Sequence, residues 1–111
     1  MLELSLIIAT LDRTLELERL MTTLVNQSFK NFEIIIVDQN EDDRLNYFLS
    51  FAENNGLTIT HLHHHPPNLA HARNRGIAAA KGTWCGFPDD DCWYEPTTIE
   101  CLLDRCRQDD I

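Results

Sequence analysis

Three adjacent carboxylates, Asp89-Asp90-Asp91, are the side chains in this sequence that are best arranged to bind a cation. They follow a short apolar segment, Thr83–Phe87, that has the character of a buried strand. Three like charges at the end of such a strand repel one another and lower stability unless a cation offsets them. Mg²⁺ and Mn²⁺ prefer carboxylate oxygens, completed by water and substrate phosphates. The triplet therefore predicts a divalent metal site, with a solvated acidic turn as the alternative.

Polar groups also follow two other apolar segments. Thr10-Leu11-Asp12-Arg13 comes after Leu4–Ala9, and Asp38-Gln39-Asn40 comes after Phe32–Val37. If these segments are parallel strands, their carboxyl ends meet at one edge of the sheet, where open parallel sheets bind ligands. A helix cap or a turn explains each group taken alone. Convergence with the acidic triplet favours a single site.

The overall charge narrows the class of partner. The 111 residues include nine Lys+Arg and eighteen Asp+Glu, which gives a formal net charge of −9. Nucleic acids and anionic membrane surfaces attract the opposite sign, so neither is an expected partner. The acidic clump Glu41-Asp42-Asp43 suits the positive end of a following helix and needs no ligand. Another acidic pair, Asp109-Asp110, lies near the end of the sequence.

The elements that must position these side chains follow from the apolar pattern. Four short apolar runs are predicted strands: Leu4–Ala9, Phe32–Val37, Leu57–His63 and Thr83–Phe87. Four segments with apolar residues at helical spacing alternate with them: Leu17–Val25, Leu45–Ala52, Leu69–Ala80 and Ile99–Cys106. The order βαβαβαβα predicts one α/β domain over residues 1–111, with an open, mostly parallel, Rossmann-like sheet and helices on both faces.

Local signals mark the helix ends. Asn54-Asn55-Gly56 predicts the end of the second helix, and Asn68 predicts the amino-terminal cap of the third. The third helix is expected to bury one side, formed by Leu69, Ala72, Gly76, Ile77 and Ala80. Pro96 suits the first position of the fourth helix.

Histidines end the third predicted strand. His61 and His63 alternate and so share a face, which makes a two-ligand metal site conceivable. Zinc requires three or four ligands, and Cys85 and Cys92 lack the usual paired spacing. The favoured interpretation is a polar edge strand that runs into the loop at Pro66-Pro67.

Two features concern the compartment. The first apolar run stops at Ala9 and has no basic segment before it, so neither a signal peptide nor a membrane span is predicted. The chain has four cysteines: Cys85, Cys92, Cys101 and Cys106. They form no C-x-x-C pair, and a core of this size needs no disulfides. A cytoplasmic protein with free thiols is expected.

Several short motifs follow one another in a characteristic order along almost the whole chain. They are Ser5-Leu6-Ile7-Ile8-Ala9-Thr10, Asn26-Gln27-Ser28, Phe32-Glu33-Ile34, Ile36-Val37-Asp38, Asn68-Leu69-Ala70, Ala72-Arg73-Asn74-Arg75-Gly76-Ile77, Ala80-Lys81-Gly82, Phe87-Pro88-Asp89-Asp90-Asp91 and Pro96. In this order the set resembles the inverting family 2 glycosyltransferases, whose fold is called GT-A. The specificity lies in the order and spacing rather than in any one motif.

This resemblance implies a binding site for a nucleotide-diphospho-sugar donor, with a UDP-sugar favoured. By position, Thr10 and Asp38 would contact the nucleoside, and Gln39 would lie near the base. The family often has an acidic residue or Asn in place of Gln39, and a glutamine amide, which both donates and accepts hydrogen bonds, still allows a uracil base. Arg73 would lie near the nucleotide, with a surface helix arginine as the alternative.

The resemblance also makes the acidic triplet the family's DXD element. Asp91, together with Asp89, would bind Mn²⁺ or Mg²⁺, while Asp89 and Asp90 would lie toward the ribose and the donor sugar. The sugar would be transferred to an acceptor hydroxyl with inversion. A cation would neutralise the charge that develops on the diphosphate leaving group.

The family's acceptor site and general base would lie beyond Ile111. The chain is therefore expected to be the donor-binding half of a longer enzyme, with little or no transfer on its own. The alternative is a non-catalytic nucleotide-binding or interaction domain of the same fold. Without the missing half, the strand at 83–87 would be an unpaired edge, so self-association or disorder near the carboxyl terminus is expected. A monodisperse monomer in light scattering would contradict that expectation.

Overall fold

Strands and helices alternate along the part of the chain that the structure, a computed structural model, describes: residues 1–108. The order is β1 (Leu4–Thr10), α1 (Leu15–Val25), β2 (Phe32–Asp38), α2 (Asn46–Asn54), β3 (Thr58–His63), α3 (Leu69–Ala79), β4 (Trp84–Gly86) and α4 (Thr98–Gln108). This confirms the predicted order of elements. The pair Asp109-Asp110, and the disorder expected at the carboxyl terminus, concern residues outside this range.

All four strands are parallel and form one sheet in the order β3-β2-β1-β4. The α/β class and the parallel sheet are thus confirmed. Thr10 is in register with Asp38, and Asp38 is in register with His63. The carboxyl ends of the three neighbouring strands β1, β2 and β3 therefore lie in one row at the same edge of the sheet.

Helices cover both faces of the sheet. On one face, alternate residues of β1 and β2, such as Ile8 and Ile36, pack with α1, α2 and α4 in the larger core cluster. On the other face, Ile7, Ile35 and Val37 pack against Ala72 of α3. β1 and β2 are apolar on both sides because they lie between these two layers.

Contacts of α3 with the sheet differ from the prediction. Leu69 and Ile77 are 51% and 46% exposed, so the expectation that they form its buried side is wrong. Ala72 and Gly76 make the contact instead. A Cβ atom added at Gly76 would clash with the Ile7 side chain, which shows how closely the helix approaches the sheet. Small residues form this contact, and the larger ones are left at its margins.

The predicted helix ends are largely confirmed. The Asn68 side chain accepts a hydrogen bond from His71 N at 3.0 Å and so caps α3. Gly56, with φ +100°, follows α2 as expected. Helix α4, in contrast, begins at Thr98, two residues after Pro96. Gln27 secures the segment before it, because its side chain donates to Glu95 O at 2.7 Å and accepts from Ile99 N at 3.1 Å.

Strand β4 has a single neighbour, β1, among residues 1–108. It covers Trp84–Gly86 rather than the predicted 83–87, and it forms an edge of the sheet. Self-association through this edge stays a prediction. None of the helices in the described part of the chain combines the length and apolar character needed to cross a membrane.

A buried polar cluster fixes where β4 begins. Ser5 Oγ donates to Glu33 Oε2 at 2.6 Å and accepts from Gly82 N at 2.8 Å. The same Glu33 oxygen accepts from Lys81 N at 2.6 Å. Ser5 and Glu33 are almost fully buried. The cluster ties the loop between α3 and β4 to β1 and β2, and so determines where the acidic triplet emerges.

Replacement of Ser5 should test this anchoring. Ser5→Ala leaves the Gly82 N–H without a partner and the buried Glu33 carboxylate with the Lys81 N–H alone, which should lower the free energy of unfolding by about 1–3 kcal/mol. Urea unfolding followed by tryptophan fluorescence measures it. The control Ser50→Ala removes an exposed helix hydroxyl and should stay within about 0.5 kcal/mol of the parent. Equal effects of the two substitutions would contradict the anchoring role.

Candidate functional site

The ends of the strands and the amino end of α3 enclose a cavity of about 380 Å³, here called the strand-end cavity. Four of the residues predicted for the site line it: Gln39, Arg73, Asp89 and Asp90. They come from the residue after β2, from α3 and from the turn after β4, and are up to 51 positions apart in the sequence. The convergence predicted from the strand ends therefore occurs for Gln39, Asp89 and Asp90, and Arg73, which the resemblance placed near the nucleotide, lines the same cavity.

Because β4 pairs with β1 in parallel, the acidic triplet lies at the carboxyl end of β1. β4 pairs with β1 at an offset of eighty residues, beginning with Leu4 opposite Trp84. The chain keeps this offset past the end of β4, because Thr10 Oγ1 donates to Asp90 Oδ2 at 2.9 Å. The side chain of Thr10 is buried and fixes one of the three carboxylates.

A cation already lies against the triplet. Arg13 Nε is 3.4 Å from Asp90 Oδ1, and its Nη2 is 3.7 Å from Asp91 Oδ2. The sequence placed Arg13 in the polar group after β1 but gave it no role. The signal that could have identified it was a basic residue directly after one strand end and an acidic triplet after another.

Asp91 is held on its other side by α1. Arg19 Nη2 donates to Asp91 O at 3.4 Å, and the same guanidinium lies 4.4 Å from the centre of the Trp93 ring. The carboxylate of Asp91 remains about half exposed. The backbone of the turn is thus supported while its outermost carboxylate stays accessible to a cation.

Two groups just after the triplet have shifted ionisation. Burial raises the pKa of the Cys92 thiol, and the negative charge of Asp89 adds to the effect. Burial also raises the pKa of Tyr94 to about 12, with smaller contributions from Cys92 and Asp89. Both shifts follow from apolar packing against the core next to a cluster of carboxylates.

Gln39 joins two walls of the strand-end cavity. Its Oε1 accepts from Asn68 N at 2.8 Å, which links the end of β2 to the start of α3. Gln39 also borders a second cavity of about 430 Å³, which lies toward Asn40 and Arg44. Arg73, half-buried in the wall of the strand-end cavity, forms no ion pair with any of residues 1–108. This side of the cavity thus offers an amide and an uncompensated cation.

Asp38 does not line the strand-end cavity. Its side chain is completely buried. Oδ1 accepts from Asn40 N at 2.9 Å and from Asn40 Nδ2 at 2.8 Å, while Oδ2 lies 2.8 Å from His61 Nε2. The structure thus directs this carboxylate toward β3, and the predicted contact with a nucleoside stays a prediction.

Asn40, which the sequence analysis placed in the polar group after the second strand without giving it a role in the site, is a positioning residue. Its Oδ1 accepts from Asp12 N at 2.8 Å, and Asp12 has a φ of 60°, a left-handed conformation that Asp tolerates better than most residues. The bond fixes the turn after β1 and hence the base of the Arg13 side chain. Its own amide is fixed by Asp38, so Asp38 supports the turn through Asn40.

The turn after β4 carries three successive carboxylates, those of Asp89, Asp90 and Asp91, and the first two line the strand-end cavity. The three do not come close enough together to form a three-ligand group within residues 1–108. Carboxylate oxygens suit a hard divalent cation such as Mg²⁺ or Mn²⁺. The parallel sheet, with its cavity beyond the strand ends, agrees with the GT-A fold that the resemblance implies.

The comparison with known families gives the assignment. Residues 5–111 match the family model for Glycosyl transferase family 2. The chain therefore belongs to glycosyl transferase family 2, which confirms the family predicted from the motifs.

Similar proteins occur in several bacteria. An uncharacterized glycosyltransferase of Haemophilus influenzae is 31% identical over 106 residues, which are 95% of this chain and 35% of that protein. The GalNAc(5)-diNAcBac-PP-undecaprenol beta-1,3-glucosyltransferase of Campylobacter jejuni is 32% identical over 120 residues, 96% of this chain and 35% of that protein. The chain thus spans about a third of the length of these relatives.

Solved structures share the fold. S. aureus TarS 1-349 matches with a TM-score of 0.86 and 20% identity over 96% of this chain and 33% of that one. Its complex with UDP-GlcNAc matches with a TM-score of 0.75 and 20% identity over 96% and 32%. The mannosyltransferase PcManGT of Pyrobaculum calidifontis, in complex with GDP-Man and Mn²⁺, matches with a TM-score of 0.73 and 18% identity over 83% and 28%.

The ionisation of Tyr94 tests the packing behind the acidic turn. Because its pKa is raised to about 12, the phenol stays protonated in the folded chain while an unfolded tyrosine ionises near 10. Its contribution to stability is therefore complete below about pH 10 and is lost as the pH rises through about 12. Phenolate absorbance of a Tyr47→Phe variant, which leaves Tyr94 as the single tyrosine, should give this high midpoint. A midpoint near 10 in a chain that circular dichroism shows to be folded would contradict the packing.

Proposed function

We propose that this chain is the donor-binding part of a glycosyltransferase, and that the strand-end cavity binds a nucleotide-diphospho-sugar. The observation that carries the proposal is the convergence of Gln39, Arg73, Asp89 and Asp90 on one cavity. Structural neighbours described as complexes with UDP-GlcNAc and GDP-Man support the donor class. A UDP-sugar is the favoured donor, and the base preference depends on Gln39.

The cationic side of the cavity suits the diphosphate. Arg73 supplies a positive charge that no carboxylate within residues 1–108 neutralises by an ion pair. The amino end of α3, at Asn68 and Leu69, lines the same cavity, and a helix amino end carries partial positive charge. A diphosphate placed here would be bound by both and would be held across the cavity from the acidic turn.

The nucleoside is proposed to lie on the β2 side of the cavity. The amide of Gln39 can both donate and accept hydrogen bonds, which allows it to bind a base edge. Thr10 and Asp38 are assigned to the nucleoside by their place in the family motif. Both side chains are buried. Thr10 would therefore act on a bound nucleoside through its hydrogen bond to Asp90, and Asp38 through the hydrogen bond that it accepts from Asn40.

The acidic turn has the composition expected of a Mn²⁺ or Mg²⁺ site. Asp91, with Asp89, is proposed to hold the ion, and Asp90 to lie toward the sugar. Carboxylate oxygens fit a hard cation, and the guanidinium of Arg13 already lies against Asp90 and Asp91, which supports this assignment. When bound, the ion would offset the charge that gathers on the departing diphosphate. A similar fold described in complex with Mn²⁺ supports this assignment.

Transfer itself is proposed for the longer protein. The sugar would pass to an acceptor hydroxyl with inversion, and a general base in residues that follow Ile111 would take the hydroxyl proton. The 111 residues should bind the donor with little or no turnover. A cytoplasmic location is proposed because all four cysteines are free, as is usual in a reducing compartment.

Removal of Asp91 tests the metal site. Isothermal titration with UDP should show binding that Mn²⁺ strengthens, and Asp91→Ala should abolish the strengthening because it removes the main proposed ligand. The control Asp43→Ala removes one carboxylate from an acidic clump of the same size outside the cavity. It should leave the metal dependence unchanged.

The same titrations can refute the proposal. No heat with UDP, GDP or dTDP, each with Mn²⁺ present, would count against the donor site. Nucleotide binding that ignores Mn²⁺ in the parent chain would count against the metal site alone.

Arg13 should compete with the metal ion. Because its guanidinium lies against Asp90 and Asp91, Arg13→Gln should strengthen binding of Mn²⁺ without nucleotide by up to about fivefold, the equivalent of one exposed ion pair. Arg44→Gln is the control, since Arg44 pairs with Asp42 and its loss changes the net charge equally. Weaker Mn²⁺ binding by Arg13→Gln than by Arg44→Gln would contradict the competition.

A further inference from the structure

All five histidines of the chain gather at the carboxyl end of β3 and the first turn of α3. They are His61, His63, His64, His65 and His71. The ring centroids of His61 and His63 are 4.5 Å apart, and those of His64 and His71 are 6.4 Å apart. The donor-site proposal uses none of these imidazoles. Such a concentration at one corner of the domain calls for a separate explanation.

Asp38 supplies the third ligand that a zinc site at His61 and His63 requires. It is in register with His63 on the neighbouring strand, and its Oδ2 lies 2.8 Å from His61 Nε2 and 3.9 Å from His63 Nδ1. One donor atom from each residue lies within 4.8 Å of the others. Residues 61 and 63 alternate along β3, so both rings share the face of the sheet on which this carboxylate lies.

These distances suit a small divalent ion. Zinc bonds to imidazole nitrogen and carboxylate oxygen are about 2.0–2.2 Å, so two ligands of a tetrahedral ion lie about 3.4 Å apart. The two measured separations from Asp38 Oδ2, 2.8 and 3.9 Å, fall on either side of that value. Shifts of about half an ångström in the two rings would bring both of these separations to that value, and the donor atoms of the two histidines lie within 4.8 Å of each other.

The Asp38 carboxylate is fixed before any ion binds. Its side chain is completely buried, and both hydrogen bonds from Asn40 go to Oδ1, so Oδ2 is left for the histidines. A hydrogen-bonded carboxylate of this kind is typical of metal sites, because the outer partner orients the ligand. His63 is 65% exposed and His61 is 23% exposed, so the site opens toward solvent on the β3 side.

We propose that Asp38, His61 and His63 form a binding site for a zinc-class divalent transition-metal ion. Water would take the remaining position, because the three residues leave one side of a tetrahedron open. The ion would join the edge strand β3 to the buried strand β2. Two imidazoles and one carboxylate favour zinc-class ions over Mg²⁺, whereas the acidic turn has the opposite preference. The two sites are therefore chemically distinct.

Both imidazoles would bind the ion as neutral rings. His61 would bind through Nε2 with its proton on Nδ1, so the proton that Nε2 now donates to the Asp38 carboxylate would pass to solvent and the ion would replace that contact. His63 would bind through Nδ1 and keep its proton on Nε2. The two rings would thus adopt opposite tautomers, which gives the site a spectroscopic signature.

The test is a titration of the 111-residue chain with Zn²⁺, followed by long-range proton–nitrogen NMR of the imidazoles. At one equivalent, His61 should show coordination at Nε2 and His63 at Nδ1, while His64, His65 and His71 keep their free-ring signals. Because the readout is at the histidines, zinc held by a thiol or by the acidic turn is not mistaken for this site.

Matched variants measure the affinity. His63→Gln removes an exposed ring that is one of the three proposed ligands. Loss of a residue that merely orients a metal ligand weakens metal binding by roughly 10–100-fold, so loss of the ligand itself should weaken Zn²⁺ binding by at least that factor. His71→Gln, which also removes one exposed imidazole, should leave the affinity within about twofold of the parent. Circular dichroism checks that both variants are folded.

Three outcomes would overturn the proposal. The first is unchanged His61 and His63 signals at one equivalent of Zn²⁺. The second is coordination that instead involves His64, His65 or His71. The third is equal affinity of His63→Gln and His71→Gln. The donor-site titrations use UDP and Mn²⁺ and do not involve these rings, so failure here leaves that proposal untouched.

Discussion

The parallel register of the sheet is the constraint on which the rest of this structure depends. Since all four strands run the same way, the side chains that end them lie together at one edge. Thr10 and Asp38 are in register, and the constant offset between β1 and β4 brings Asp90 to Thr10. A shift of one residue in any strand would turn these side chains to the opposite face. The apolar residues that fix the register in the core thus also assemble the site.

The sequence carried enough information for the architecture, and four of the residues predicted for the site line the cavity. Unbroken apolar runs mark strands buried on both faces, and parallel strands place their ends together without further information. The sequence could not reveal two kinds of contact: those that depend on how closely a helix approaches the sheet, and those made with a neighbouring strand. Leu69 and Ile77 have the spacing of a buried face, yet α3 packs so closely at Gly76 that they remain exposed.

The direction of Asp38 shows the same limit at the level of a single side chain. Its position at the end of β2 predicts a ligand contact, and nothing in the neighbouring sequence shows that the carboxylate turns toward His61 on the next strand. Arg13 is comparable, because its partners are more than seventy residues away. Membership of glycosyl transferase family 2 establishes the kind of domain, but the chemistry of each corner still depends on such individual contacts.

The strand ends are proposed to bind a nucleotide diphosphate beside a metal ion held by the acidic turn. The decisive experiment is a crystal structure of the chain with UDP and Mn²⁺, with anomalous scattering used to locate the manganese. We expect a manganese peak at Asp91 and Asp89, with Arg13 displaced, the diphosphate between that ion and Arg73, and the base beside Gln39. A nucleotide bound elsewhere, or manganese absent from the acidic turn when UDP is bound, would contradict it.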